Sequence, residues 1–144
     1  MHSNRREPVS DGRIRQYKDP NQSGRELEIV KRYDEVFSYL YPRILSMHNK
    51  HHIFKELFFT ALTKQPELFY TAGISGQISK LREADKGLAY IRWMLRTATI
   101  ELGAKFGMAG IEEAERRIYI VGSMLNAWMK NIERHKDAIK GNKQ

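Results

Sequence analysis

From residue 25 onward, apolar residues recur at the spacing of an α-helix, three and four residues apart. Val30, Tyr33, Phe37, Leu40, Ile44 and Met47 step by 3, 4, 3, 4, 3, which places them on one helical stripe. Pro42 falls inside that stripe, and its ring clashes with the preceding turn, so a kink is expected near Ser38 to Tyr41. His48, Asn49 and Lys50 read as a short break. A second segment, His51 to Ala72, offers a broad apolar face of Phe54, Leu57, Phe58, Ala61, Leu62, Leu68, Phe69 and Ala72. Pro66 is expected to interrupt it, either by kinking the helix or by ending it near Lys64 and restarting it. Gly73 to Gly76 reads as a loop, because it holds two glycines three residues apart.

The third segment is the most regular, with Leu81, Ala84, Leu88, Ile91, Leu95, Ala98 and Leu102 stepping by 3, 4, 3, 4, 3, 4. Gly107 lies beyond it, where a left-handed cap is expected. After Gly110 a fourth stripe follows: Ile111, Ala114, Ile118, Val121, Leu125, Trp128 and Ile132. Glu112, Glu113 and Glu115 come early in this helix and Lys130, Arg134, Lys136 and Lys140 late, the order that the helix dipole favours. Gly141 to Gln144 is expected to fray. No stretch alternates in the manner of a strand. Four amphipathic helices with short connections predict an all-α, antiparallel up-down four-helix bundle over residues 25–140, with crossing angles near about 20°.

Residues 1–24 break the pattern. They hold Pro8, Pro20, Gly12 and Gly24, and little apolar material beyond Val9, Ile14 and Tyr17. Such a segment cannot bury enough surface to offset its ordering entropy. Arg5, Arg6, Arg13, Arg15 and Lys18 outweigh Glu7, Asp11 and Asp19, so it reads as a basic, flexible leader.

The whole chain is basic: 25 Lys and Arg against 17 Asp and Glu give a net charge of +8 over 144 residues. A surplus of that size attracts polyanions, nucleic acid above all. With no cysteine, neither a disulfide nor a thiolate metal site is available. No secretory signal and no run of about 18 apolar residues is visible, so a cytoplasmic protein without a membrane span is expected. The basic residues are spread over several helices, not gathered into one membrane-surface anchor.

Catalytic motifs are missing. There is no HExxH, no GxSxG, and Gly73 to Lys80 lacks the Gly-Lys-Ser/Thr ending of a phosphate loop. His48, His51, His52 and Glu56 cluster locally, but they straddle the break between helices without a well-placed third ligand. Glu-x-x-His pairs on two helices, the mark of di-iron bundles, are absent. No enzyme, metal or cofactor is expected. The informative pattern is basic. Arg82, Lys86 and Arg96 share one side of the third helix with Trp93, and Arg92 lies beside the core row. Guanidinium groups grip phosphates bidentately and stack on aromatic planes, so this face is a candidate for nucleic acid. Arg116 and Arg117 on the fourth helix join the candidate set. The competing interpretation is a solvated face partly neutralised by Glu83, Asp85 and Glu101. Tyr90 and Trp93 lie off the core row and predict a second apolar surface, a possible subunit interface. Trp128 belongs to its helix's core row.

Three stretches together resemble a known family: Tyr33–Pro42 with the histidine-bearing break and Phe54 after it, Leu81–Ala98, and Val121–Lys130. Over residues 28–135 the chain is similar to the accessory variability determinants (Avd) of diversity-generating retroelements, themselves related to four-helix-bundle proteins encoded within 23S ribosomal RNA intervening sequences. The resemblance implies a noncatalytic homopentamer that binds a reverse transcriptase and its template RNA, with DNA as the alternative nucleic acid, in support of mutagenic reverse transcription. It places Arg82, Arg92 and Arg96 at the partner contact, Gly122 at a close helix approach and Trp128 in the core. Five copies at +8 would carry about +40, a strong and salt-sensitive attractor for RNA. The alternatives are a ribosomal-RNA-associated bundle and a structural oligomerisation module without nucleic acid.

Overall fold

The computed structural model describes residues 23–143, with side chains over residues 28–141. The leader therefore lies outside the described residues, except that Ser23 and Gly24 open the first helix. The elements are α1 (Ser23–Leu45), a 3-10 turn (Asn49–His51), α2 (His52–Ser75), α3 (Ile78–Ile100) and α4 (Gly107–Lys143). α1 packs on α2 and α4, and α3 packs on α2 and α4, so each helix meets two neighbours around a square. This is the antiparallel up-down four-helix bundle. No strand occurs among the described residues.

The core rows of α3 and α4 follow the sequence pattern. Leu81, Ala84, Leu88, Ile91, Leu95 and Ala98 are buried, as are Ala114, Ile118, Val121, Leu125 and Trp128. Leu102 is only half-buried, because α3 ends at Ile100. On α1 the buried row is Ile29, Tyr33, Val36, Leu40 and Ile44, continued by Met47 just past its end, with Val30 and Phe37 at its margin. On α2 the buried row is Lys55, Phe58, Leu62, Gln65, Phe69 and Ala72, and Leu57 faces solvent.

Several boundaries depart from the sequence reading, each for a local reason. α1 carries Pro42 within it and ends at Leu45, and Ser38, whose carbonyl loses its helical donor to Pro42, is exposed, where solvent can serve that carbonyl. α2 is one helix through Pro66, neither broken nor restarted there. Pro66 lacks the N–H that the Leu62 carbonyl four residues earlier would accept, and the Tyr33 hydroxyl of α1 donates to that carbonyl at 2.6 Å instead. Gly73 to Ser75 are helical, and the loop shrinks to Gly76 and Gln77. Gly76 adopts φ 71° and donates its N–H to the Ala72 carbonyl at 2.8 Å. Past α3, Gly103 takes the left-handed position (φ 72°), while Gly107, also at φ 72°, opens α4 rather than closing α3. With α4 starting there, Glu112, Glu113 and Glu115 fall beyond its first turn. Its far end continues through Gly141 to Lys143 without stopping at the glycine.

Two helical glycines face neighbouring helices with opposite consequences. A Cβ on Gly87 would overlap the amide nitrogen of Gln65, which is 1% exposed. A Cβ on Gly122 would sit 3.5 Å from Arg92 Nη2 and 4.0 Å from Leu88 Cδ1, ordinary contact distances. The close helix approach expected at Gly122 therefore belongs to Gly87. Gly122→Ala should raise stability by about 0.5–1 kcal/mol through helix propensity. Gly87→Ala should lower it by about 1–2 kcal/mol through overpacking. Thermal unfolding of the two variants checks both signs, and an equal shift in the two would contradict this packing.

Candidate functional site

Arg92, Arg96 and Arg116 meet in an open cleft between α3 and α4, of about 560 Å³, lined also by Glu112, Glu115 and Tyr119. The helical period accounts for it. Arg92 and Arg96 are four residues apart on the flank of α3 next to α4, and Glu112, Glu115, Arg116 and Tyr119 step along the facing flank of α4. Arg92 is half-buried, with its guanidinium passing beside Gly122 at the helix crossing. Arg96 is exposed. Neither forms an ion pair among the described residues. Tyr119 stands 68% exposed at the cleft edge.

Arg116 is held differently. Glu113 accepts from its Nε at 3.1 Å and its Nη2 at 2.7 Å, and also accepts from Arg117 Nε. The hydrogen bonds from Arg116 first, then from Arg117, hold the Glu113 carboxyl down at about 2. The same pairing raises the Arg116 pKa further above its ordinary value. A carboxylate depressed in this way favours the fold above its ordinary titration range and loses that contribution only as the pH falls towards about 2. At neutral pH the clamp is closed.

The other candidate residues point elsewhere. Arg117 turns to α1, donating to the Glu35 carbonyl at 2.8 Å, with its guanidinium 4.7 Å from the Tyr39 ring centre. Arg43 covers the same ring at 3.7 Å. Arg82 pairs with Glu133 of α4 at 3.1 Å, and Lys86 is exposed without an ion pair among the described residues. The structure thus gathers Arg92, Arg96 and Arg116 and leaves Arg82, Lys86 and Arg117 outside the cleft. Sequence reasoning missed Tyr119, Glu112 and Glu115 as cleft residues. The signal was their three- and four-residue spacing around Arg116 on a helix whose core row was already known.

The histidine break has a structural role. His48 Nδ1 accepts the Lys50 N–H at 3.0 Å and starts the 3-10 turn. No cluster of three or more metal-ligating side chains occurs among the described residues. No helix among them is long and apolar enough to cross a membrane.

Trp128 is 1% exposed in the core, as its row requires, and its indole N–H has no partner there. Tyr90 and Trp93, by contrast, are 46% and 49% exposed on the outer side of α3, so the second apolar surface is real.

Comparison with known proteins agrees with this architecture. No curated protein matches the chain. The model of the bAvd-like family matches residues 27–132, from the first turns of α1 to the middle of α4, and so takes in all four helices of the bundle. By that match the chain belongs to the bAvd-like family, the bacterial accessory variability determinants.

Proposed function

We propose that this protein is a noncatalytic accessory of a diversity-generating retroelement that binds template RNA and the reverse transcriptase copying it. The observation that carries the RNA-binding part is the α3–α4 cleft, where Arg92 and Arg96 face an open cavity with no carboxylate paired to either among the described residues. Arginines packed into a bundle for structure are normally satisfied by carboxylates or carbonyls, as Arg117 is. Unpaired ones beside an open cleft fit a phosphate backbone. Glu112 and Glu115 on the α4 wall repel phosphate, which directs the backbone to the α3 wall. Such a grip tracks the backbone and reads no sequence, which suits an accessory to copying. Family membership supports the polymerase as partner, and assembly of several copies would multiply the +8 of each chain.

The test is RNA binding across a salt series for the wild type and an Arg92→Ala/Arg96→Ala variant. The variant should keep its melting transition and bind RNA about tenfold more weakly. Its log–log salt slope should be shallower by about 1.4, two contacts at roughly 0.7 each for a single strand. A folded double variant with unchanged affinity would remove this cleft from the interface. Co-purification with the reverse transcriptase, and light scattering for the number of copies, test the remaining parts.

A further inference from the structure

Resting on that reading, we infer that the RNA segment held by this protein is unpaired, and that its bases stack on Tyr90 and Trp93 beside the arginine cleft. The two rings lie nearly parallel, 6° apart in plane with centroids separated by 5.9 Å, and about half of each residue remains in solvent. An aromatic pair left half exposed at a surface is costly to leave in water. It offers flat π-surface of the kind on which nucleobases stack.

The surrounding charge selects the occupant. Lys86 lies one turn before Tyr90, and Arg96 three residues after Trp93, both on the exposed side of α3 and both without an ion pair among the described residues. Across the groove, Lys50 and His51 line the depression into which Trp93 packs. Lys64 lines the cleft that reaches Tyr90 but is itself paired to Glu67 at 3.4 Å, and the acidic Glu83 there is paired to Lys80 at 3.7 Å. Along α3's outer face the rings are therefore flanked by Lys86 on one side and Arg96 on the other. An aromatic platform beside Lys86 and Arg96, unpaired among the described residues, with Lys50 across the groove, complements a chain that carries phosphates and bases together.

Arg96 links the two surfaces. It lines the α3–α4 cleft and also follows Trp93 within one helical turn, about 4.5 Å along the axis. A backbone leaving the cleft at Arg96 meets Trp93 next, then Tyr90 and Lys86. A duplex cannot use this platform, because its base faces are already stacked on one another.

The experiment compares a 12-nucleotide single-stranded RNA with the duplex of the same sequence, using the full chain, Trp93→Ala and Trp93→Phe. Trp93 is the exposed one of two tryptophans, so single-stranded RNA should quench the wild-type emission while the duplex should not. Trp93→Ala should bind the single strand about tenfold more weakly and bind the duplex as the wild type does, while Trp93→Phe keeps most of the affinity. Equal loss on both RNAs, or no loss on either, overturns the base platform and leaves the arginine cleft standing. A change in light-scattering mass for Trp93→Ala also overturns it, by assigning the rings to a contact between copies. A wild type that binds neither RNA brings down the RNA reading itself and this inference with it.

Discussion

Lys55→Met is expected to lower the stability of the bundle by about 2–4 kcal/mol, the cost of leaving two carbonyls without their donor. Lys55 sits in the core row of α2 at 8% exposure, a position where an unpaired ammonium would be forbidden. Its Nζ crosses to the end of α1 and donates to the carbonyl of Leu45 at 3.0 Å and that of Met47 at 2.9 Å. Those carbonyls lie at the last residue of α1 and two residues beyond it, where no helical N–H follows to satisfy them. The ammonium also lies against the negative end of the α1 dipole. Methionine keeps the length and the packing while removing both the donors and the charge. For a chain of this size the loss corresponds to a fall in Tm of roughly 10 °C, read by thermal unfolding. A Tm within about a degree of the wild type would mean that Leu45 and Met47 find water instead, and that Lys55 is dispensable.

Lys55 also shows where reading the pattern of apolar residues reaches its limit. Counting only apolar residues on α2 finds Phe58, Leu62, Leu68, Phe69 and Ala72, which are buried, but adds Phe54, Leu57 and Ala61 and omits Lys55 and Gln65. The buried row through Lys55, Phe58, Leu62, Gln65 and Phe69 is therefore missed. That row steps by 3, 4, 3, 4 as cleanly as the rows of α3 and α4, but two of its members are polar. Their burial depends on other helices: the end of α1 supplies partners for Lys55, and Gly87 leaves room for the Gln65 amide, whose Oε1 has no partner among the described residues. Such partners cannot be found from local spacing. Displaced from the core, Leu57 is left at 50% exposure beside Tyr90 and Trp93, which is why the outer surface between α2 and α3 is apolar. The arginine site was half legible for a similar reason. The flank of α3 carrying Arg92 and Arg96 follows from the helical period, whereas the choice of Arg116 over Arg117 depends on how α4 is rotated against α1. Arg117 is drawn away by the Glu35 carbonyl and the Tyr39 ring, neither of which is near it in sequence.

Tyr33→Phe should cost about 1–3 kcal/mol in the wild-type chain and much less when Pro66 is also replaced by alanine. The reason lies in one carbonyl. Leu62 C=O is buried in α2, and its helical donor would be the N–H of residue 66, which proline lacks. The Tyr33 hydroxyl takes that place at 2.6 Å, and its ring packs edge-on against Phe69, with centroids 5.9 Å apart and planes at 74°. Burial pushes the hydroxyl's pKa above its ordinary value, so it stays a donor across the accessible pH range. Phenylalanine preserves the ring contact and removes only the donor, leaving the carbonyl bare. Pro66→Ala restores a backbone N–H to the Leu62 carbonyl. It should by itself stabilise α2, by up to about 3 kcal/mol on intrinsic helix propensity. A double-mutant cycle on these two positions measures the dependence directly, since the two donors serve the same acceptor. A coupling of at least about 1 kcal/mol, with Tyr33→Phe milder in the alanine background, is the expected result. Strictly additive effects would show that the tyrosine hydroxyl does not substitute for the missing N–H, and the continuity of α2 through Pro66 would then need a different cause.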